Sequence, residues 1–243
     1  KNPTSIRYYR RLGILPEALL NYLALMGWTM PDEEEFFTLP QMVEQFDPTR
    51  ISLGGPVFDL QKLTWLNGRA IRENMTPEQL QDTLREWLIN DDFLARLMPL
   101  VQPRLETLSD FIPLSDSLFQ GHIAPTAEVL VPKGRDEAET LQALLVASSV
   151  LEGLEGWRAA EVEAVLRRCA EAHDWPLRDF LKPLFGALSG RAVSLPLFDA
   201  MELLGKDLGV VRLRDAREVL GSLGRKKQDK LLKRFRKAYD ALA

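Results

Sequence analysis

The sequence predicts an all-α protein. Apolar residues recur at spacings of three and four along most of the chain, while the alternation of apolar and polar residues typical of a half-buried strand is nearly absent. Capping residues and prolines stand where many of these segments begin. The composition, 46% hydrophobic and 27% charged, is that of a globular protein, and 243 residues suffice for one large domain or two to three small ones.

Short helices joined by structured loops are predicted over a first domain, residues 1–74. Pro16 opens an apolar helical segment, and Gly27 ends it. Thr38 and Asp59 carry side-chain oxygens that accept hydrogen bonds from the unpaired N–H groups of a helix start, so each predicts the beginning of a further helix. The SLGGPV segment before the last of these helices is rich in helix-breaking residues and predicts a turn.

A second domain is predicted over residues 75–132. Thr76 and Pro77 supply a capping residue and a proline at the first helical position, which marks a new helix. Further helices are expected at about 92–101 and 103–111. The prolines and the glycine that follow predict a loop-like region after them.

The third predicted domain, residues 133–243, has the clearest helical pattern. Its four apolar-periodic segments are residues 136–151, 159–172, 176–188 and 196–204. The tail, residues 221–243, has an apolar stripe with basic residues largely opposite, and its eight Lys/Arg against two Asp carry a local charge of +6. Since the whole chain carries −4, the remainder carries −10, so an RNA-binding face would be confined to local basic clusters.

No pattern in the sequence predicts catalysis or metal binding. His122 and His173 do not stand at metal-ligand spacing, and a single cysteine, Cys169, excludes a thiolate zinc cluster and an internal disulfide. Cys169 lies on the apolar side of its segment, which predicts a buried packing thiol. The Gly54–Gly55 pair precedes a proline and predicts a turn rather than a phosphate-binding loop.

Composition also indicates where the protein works. No run of about 18 uncharged apolar residues is present, so no membrane span or membrane partner is expected. The first residues, KNPTSIRYYRR, lack the apolar core of a secretory signal. One cysteine fits a reducing compartment, and we therefore expect a cytoplasmic protein.

Two clusters of cations are candidate contacts for RNA, because they combine phosphate-binding groups with aromatic rings or with a regular helical spacing. They are Arg7, Arg10 and Arg11 beside two tyrosines, and Lys62, Arg69 and Arg72 on one predicted helix. Spacing alone fits an ordinary charged surface equally well.

Two long motifs near the start of the chain resemble one family. SIRYYRRLGILPEALLNYLALMGW at residues 5–28 and SLGGPVFDLQKLTWLNGRAIRE at 52–73 look like the carboxy-terminal half of a bacterial glutamyl-tRNA synthetase, a class I aminoacyl-tRNA synthetase. The resemblance covers about residues 1–206 and is weakest through 110–160. From Val210 onward we expect a basic extension beyond the point where many relatives end.

The resemblance implies a tRNA-binding role. In this family KNPTS directly follows the lysine-rich loop that holds ATP, so a catalytic domain that uses ATP and Mg²⁺ to attach glutamate to tRNA is expected before Lys1. Residues 1–74 would be a stem-contact module, whose two cation clusters touch the inner stem of tRNA(Glu). Two anticodon-binding helical bundles would follow. The chain alone is expected to be catalytically inactive and monomeric, with its partners being tRNA(Glu) and the catalytic domain.

The segment QPRLETL resembles the family segment whose arginine contacts the third anticodon base in enzymes that charge only tRNA(Glu). Arg104 takes that position. A guanidinium can donate two parallel hydrogen bonds to a base edge, which lysine cannot imitate. The resemblance therefore implies that Arg104 separates glutamate from glutamine anticodons. An arginine at a helix end, paired with a carboxylate such as Glu106, remains an open alternative.

A second segment, FLKPLFGALSGRAVSLPLFDAMELLGK, resembles the family's final helical bundle, in which a turn between two helices and an adjoining arginine hold anticodon bases. Ser194, Leu195 and Leu197 take the turn positions. Phe185 stands where arginine is usual, so the base contact there would be stacking rather than hydrogen bonding.

Two other functions remain open at this point. A free-standing helical protein could use its amphipathic tail to bind another protein. A synthetase that also charges tRNA(Gln) would share the same fold, although Arg104 argues against it.

Overall fold

The computed structural model describes residues 3–52, 54–88, 90–192 and 194–242. Lys1 and Asn2 of the KNPTS motif and Leu53 of the predicted SLGGPV turn therefore lie outside the described residues. Within the described ranges every regular element is a helix and no strand occurs, which confirms the all-α prediction. None of these helices is long and apolar enough to cross a membrane.

The chain divides into two compact units, Lys1–Asn90 and Asp91–Ala243. The functional division at residues 74 and 132 stays a prediction.

In the first unit the described residues form five α-helices. They are α1 Ile6–Arg11, α2 Pro16–Leu25, α3 Leu39–Gln45, α4 Leu60–Asn74 and α5 Pro77–Leu88. The predicted caps at Thr38 and Asp59 are confirmed: Thr38 and Gln41 form a reciprocal capping box, and the Asp59 carboxylate accepts from the N–H groups of Gln61 and Lys62 at 2.8 and 3.2 Å. Each cap satisfies N–H groups that the helix leaves unpaired, which explains why the helices begin there.

The core of the first unit lies between α2 and α4. Leu63 and Leu66 of α4 are fully buried, and Tyr22 of α2 is 3% exposed. Next to them, the buried Asn67 side chain accepts a hydrogen bond from the N–H of Leu15 at 2.7 Å and donates to the carbonyl of Gly13 at 3.2 Å. This amide holds the turn between α1 and α2 against α4.

In the second unit nine α-helices lie within the ranges that the structure describes. They are α6 Asp91–Val101, α7 Phe111–Phe119, α8 Ala127–Leu130, α9 Glu137–Gly153, α10 Ala159–Ala172, α11 Leu177–Ser189, α12 Leu197–Leu204, α13 Lys206–Val219 and α14 Arg225–Asp240. The four helices predicted from residue 136 to residue 204 correspond to α9 through α12 and are confirmed.

The prediction of a helix over 103–111 is wrong, whereas the loop predicted after it is confirmed around Gly121 and Pro125, which lie between α7 and α8. Residues Gln102–Arg104 and Leu108–Asp110 are single 3-10 turns, and the α-helix begins only at Phe111. Pro113 lies in the first turn of α7, where the N–H that proline lacks would have no partner within the helix. This proline therefore belongs to a helix start rather than to the predicted loop.

Helix α13 is absent from the sequence-based description but lies in the middle of the second unit, packed on α9 and α11. Its residues Leu208, Arg212 and Ala216, spaced by four, are all at most 2% exposed. Because an arginine lies at the centre of this otherwise apolar row, a search for apolar residues at helical spacing does not find the helix.

Candidate nucleic-acid interface

Four of the five predicted anticodon residues meet in one small crevice of the second unit. Phe185 of α11 and Ser194, Leu195 and Leu197 around the start of α12 line it together. Leu195 and Leu197 are only 1% and 4% exposed, whereas Phe185 and Ser194 are half-buried. The side chains available to a base are therefore those of Phe185 and Ser194, and the two leucines shape the floor behind them.

The turn that carries this crevice is held from two sides. Gly190 ends α11 in the left-handed conformation, at φ +70°, where a side chain would be strained and a Cβ would stand 3.0 Å from Ile123. Arg191 then donates to the backbone carbonyl of Pro113 and to the carboxylate of Asp116, the latter at 2.5 Å. The turn is thereby tied to α7 and presents a preformed surface.

Beneath the turn lies Arg212, which the sequence analysis missed. Its fully buried guanidinium donates to the carbonyl of Leu188 at 2.6 Å and to the carbonyl of Gln120. Leu188 lies in the last turn of α11, and Gln120 is the C-terminal cap of α7. Both helix ends carry partial negative charge, so one buried cation fixes the two helices that frame the crevice.

Arg104 lies at the end of α6, in the 3-10 turn Gln102–Arg104, and is not among the residues that line the crevice. Its side chain is exposed, and Nη1 donates to the carbonyl of Leu100 at 2.7 Å. That contact differs from the carboxylate pairing considered as an alternative, and it leaves the outer edge of the guanidinium facing solvent. The predicted base contact of Arg104 stays a prediction.

The loop after Arg104 is held by hydrogen bonds to one carboxylate. The carboxylate of Asp110 accepts from the N–H groups of Glu106 and Thr107, at 3.0 and 2.6 Å, and these hydrogen bonds, first that of the Thr107 backbone, lower the pKa of Asp110. Leu108 projects from this loop and is 89% exposed. An exposed arginine, Arg104, and an exposed apolar side chain, Leu108, are thus four residues apart on one short segment.

In the first unit, the predicted stem-contact cations of α1 are accessible but their aromatic neighbours are not. Arg7 and Arg10 are exposed and Arg11 is half-buried. Tyr8 and Tyr9 are 2% and 6% exposed and pack edge-to-face at 5.1 Å between ring centroids. The helix can therefore contact phosphates through its arginines, while the two rings serve the core.

Two of the predicted cations of α4, Lys62 and Arg69, form ion pairs within the unit. Lys62 pairs with Glu35 at 2.5 Å, and Arg69 makes a two-pronged ion pair with Glu73 while its guanidinium lies 4.4 Å from the centroid of the Phe36 ring. The side chains of Glu35 and Glu73 are about half exposed, at 53% and 46%. Surface ion pairs of this kind contribute little to stability, so an RNA phosphate can replace either carboxylate.

A groove along α4 escaped the sequence analysis. Thr64, Trp65, Gly68 and Arg72 line it, and the Trp65 ring is 47% exposed with the Arg69 guanidinium 5.3 Å from its centroid. The absence of a side chain at Gly68 makes room for the Arg72 guanidinium, which stands 2.8 Å from where a Cβ would be. An exposed indole between two arginines offers a flat surface of the kind that nucleic-acid bases stack on.

Among the described residues, no group of three or more His, Cys, Asp and Glu side chains is arranged to hold a metal ion. Cys169 is fully buried in α10, which confirms the packing role predicted for it. Burial raises the pKa of its thiol to about 12, so the reactive thiolate is scarce at neutral pH.

We therefore expect Cys169 in the folded protein to resist a thiol reagent at about pH 8, and to react fully once urea unfolds the chain. The measurement is the release of the chromophore of a disulfide reagent with and without urea. Equal rates in the two conditions would show that the thiol is accessible and that the helix packing around it is incorrect.

Two family models match this chain. The anticodon binding domain matches residues 79–217, more than half of the chain, and the catalytic domain of class I tRNA synthetases for glutamate and glutamine matches residues 1–65. Most of the predicted stem-contact module, residues 1–74, thus falls within the match to the catalytic-domain model, although the sequence analysis places this module after the catalytic domain. The crevice and Arg104 both lie inside the anticodon-binding match.

Close relatives bear out the resemblance to glutamyl-tRNA synthetases. A glutamate–tRNA ligase from Pseudoalteromonas translucida is 46% identical over 98% of this chain and 48% of its own length, and one from a Psychrobacter species is 44% identical over 100% of this chain and 48% of its own. A solved glutamate tRNA ligase from Elizabethkingia meningosepticum aligns with 87% of this chain and 43% of its own, at 23% identity and a TM-score of 0.48.

This chain spans about half the length of the curated relatives that it matches. Because the Psychrobacter alignment covers all 243 residues, the tail is not an extension beyond these relatives, and that expectation is wrong.

Proposed function

Because this chain belongs to the anticodon-binding-domain family, we propose that it binds tRNA(Glu), holding the anticodon with its second unit and the inner stem with its first. For the whole enzyme we propose ATP-dependent attachment of glutamate, with Mg²⁺, in the cytoplasm and as a monomer. The residues described above bind the RNA and take no part in the activation of glutamate by ATP.

One observation carries the proposal: Phe185, Ser194 and the turn before α12 meet in a crevice inside residues 79–217. The ring of Phe185 can stack on an anticodon base, and the Ser194 hydroxyl can both donate and accept a hydrogen bond. Arg104 supplies the planar donor that could distinguish one base edge from another. Together these groups provide both affinity for an unpaired loop and selection among bases.

The first unit supports the same proposal through charge. Arg7 and Arg10 are exposed, and Lys62 and Arg69 of α4 form ion pairs with half-exposed carboxylates. Contacts of this kind position an RNA backbone and add affinity without specifying sequence. A protein-binding role is less well supported, because the family model that matches most of the chain is an anticodon binding domain.

Replacing Arg104 with glutamine tests the anticodon assignment. We expect the preference of the chain for tRNA(Glu) over tRNA(Gln), measured as the ratio of the two Kd values, to shrink by about 1–3 kcal/mol, the usual contribution of one good base contact. The affinity for tRNA(Glu) should fall by no more than the loss of this one contact, because phosphate contacts spread over the surface supply most of that affinity.

The matched control is Arg178→Gln, which removes an exposed arginine of α11 in the same unit. It should leave the Kd ratio unchanged. If the Arg104 variant instead keeps the ratio and only lowers the melting temperature, then Arg104 serves the helix end through its bond to Leu100, and the anticodon assignment fails. Wild-type protein that binds unrelated tRNA as tightly as tRNA(Glu) would overturn the proposed function itself.

A further inference from the structure

The last helix, α14, has a buried side and a strongly basic side. It packs on α10 and α9, with Phe235 3% exposed as its anchor. Arg168 of α10 secures the far end: its Nε donates to the carbonyl of Tyr239 at 2.9 Å, and its guanidinium lies 3.8 Å from the centroid of that ring. The helix is therefore held in place, and its opposite face is offered to solvent.

Four lysines form the centre of that opposite face. With 100° between successive residues of an α-helix, they cluster within about 60° of one another and stand directly across from Phe235. We call this row the lysine stripe; its members are Lys226, Lys230, Lys233 and Lys237, all exposed. At about 1.5 Å rise per residue the stripe is about 16 Å long, with steps of about 4.5–6 Å between neighbouring lysines.

Carboxylates do not interrupt the stripe. The two acidic residues of α14, Asp229 and Asp240, lie at its edge on the side of Arg236, as the same 100° rotation shows. Within the described part of the chain, no ion pair joins a lysine of the stripe to a carboxylate. The stripe is thus a straight line of positive charge on a fixed support, inside a chain whose net charge is −4.

We propose that the lysine stripe of α14 binds the phosphate backbone of RNA without selecting a base sequence. This inference rests on the proposed function in one respect only, that the partner is RNA. It adds a contact surface outside residues 79–217, where the anticodon-binding match ends.

The chemistry of the stripe favours a uniformly charged polymer. Lysine ammonium groups act as point charges and lack the planar fork with which arginine recognises a base edge, so they bind phosphates and do not specify bases. Because the helix is already docked, little conformational freedom of the backbone is lost when RNA binds. A membrane is disfavoured, because an amphipathic helix needs its apolar face free for the lipid, and here Phe235 faces the protein interior.

The test is a fourfold replacement of the stripe lysines by alanine in the full chain, a change that favours helix and touches only exposed positions. The probes are tRNA(Glu) and an RNA hairpin of unrelated sequence, titrated between about 50 and 200 mM KCl. We expect the slope of log K against log salt to become shallower by about 3, taking 0.7–0.9 per phosphate contact, and by the same amount for both RNAs.

Two control variants are measured beside the fourfold alanine variant. The fourfold Lys→Arg variant keeps the charge and should retain the wild-type slope. The double variant Lys133→Ala with Arg178→Ala removes exposed cations of the same unit away from α14 and should shift the slope much less per residue. Unchanged far-UV circular dichroism and melting temperature establish that α14 stays folded and docked.

An unchanged slope in the alanine variant would overturn the inference, as would a loss of affinity confined to one of the two RNAs. Equal binding of polyglutamate and of an RNA with the same charge would assign the stripe to acidic partners in general and would also overturn it. Failure of the proposed function is a separate result, because it appears in the wild-type preference between tRNA(Glu) and the hairpin, which the stripe does not set.

Discussion

Replacement of Arg212 by methionine is expected to lower the free energy of unfolding by about 3–5 kcal/mol. The guanidinium is fully buried and donates to the carbonyls of Leu188 and Gln120. Methionine fills a similar volume but donates nothing, so two carbonyls at helix ends lose a charged donor inside the protein. Each unsatisfied buried group costs about 1–3 kcal/mol.

Urea unfolding followed by far-UV circular dichroism measures this loss, and the same substitution at the exposed Arg178 is the control, with an expected change within about 0.5 kcal/mol. Arg212→Lys should fall between the two, since an ammonium can donate to both carbonyls but lacks the forked geometry. If the methionine variant is as stable as the control, the cation does not hold α7 and α11 together, and the crevice must be shaped by apolar packing alone.

The second large effect concerns Glu202, which joins three helices of the second unit. Its carboxylate accepts from the N–H of Ala159 at 2.6 Å, from Arg158 at 3.1 Å and from Arg96 at 3.0 Å, and its side chain is 19% exposed. Ala159 is the first residue of α10, where a negative charge is favoured. Glu202→Gln should therefore cost about 2 kcal/mol at neutral pH, the usual size for hydrogen bonds to a charged group.

This cost should depend on pH. The hydrogen bond from the Ala159 backbone, followed by Arg158, lowers the pKa of Glu202 below its ordinary value. A carboxyl with a lowered pKa in the folded protein stabilises it fully above the pKa of the unfolded chain, about 4.3, and loses that contribution as pH falls through the folded value. The difference in unfolding free energy between wild type and variant should thus shrink below about pH 4. A difference that stays constant from pH 7 to pH 3 would show that the charge is not what matters.

The helices with distinct caps could be predicted from sequence because capping is a local property. Thr38 and Asp59 cap the helices assigned to them, and the apolar residues Leu63, Leu66 and Ala70, which recur at helical spacing after Asp59, are buried. The helix around 103–111 was misplaced because Pro113 fits either a loop or the first turn of a helix, and the sequence pattern did not decide between the two.

Of the candidate site, the residues that line the crevice could be predicted, but the arginines that hold it could not. The resemblance grouped Phe185 with Ser194, Leu195 and Leu197, and the structure brings these four to one crevice. Arg212 and Arg191 were missed because their partners are backbone carbonyls and a carboxylate between 24 and 92 residues away, which no local pattern records. In the first unit, Trp65 lies on the side of α4 opposite the buried Leu63 and Leu66 and is 47% exposed, and this exposed ring was not recognised as a candidate contact.

The pairing of α9 with α13 bears on how the protein is made. Leu144, Val146 and Leu151 of α9 are fully buried in the finished unit, and α13 supplies much of the surface that covers them. The ribosome completes α9 at residue 153 but reaches the end of α13 only at residue 219. At about 5–20 residues per second this interval is about 3–13 s. During that time α10 and α11 can already pack on α9, but the part of α9 that faces α13 has no native cover, so this apolar surface is exposed to solvent until α13 is complete.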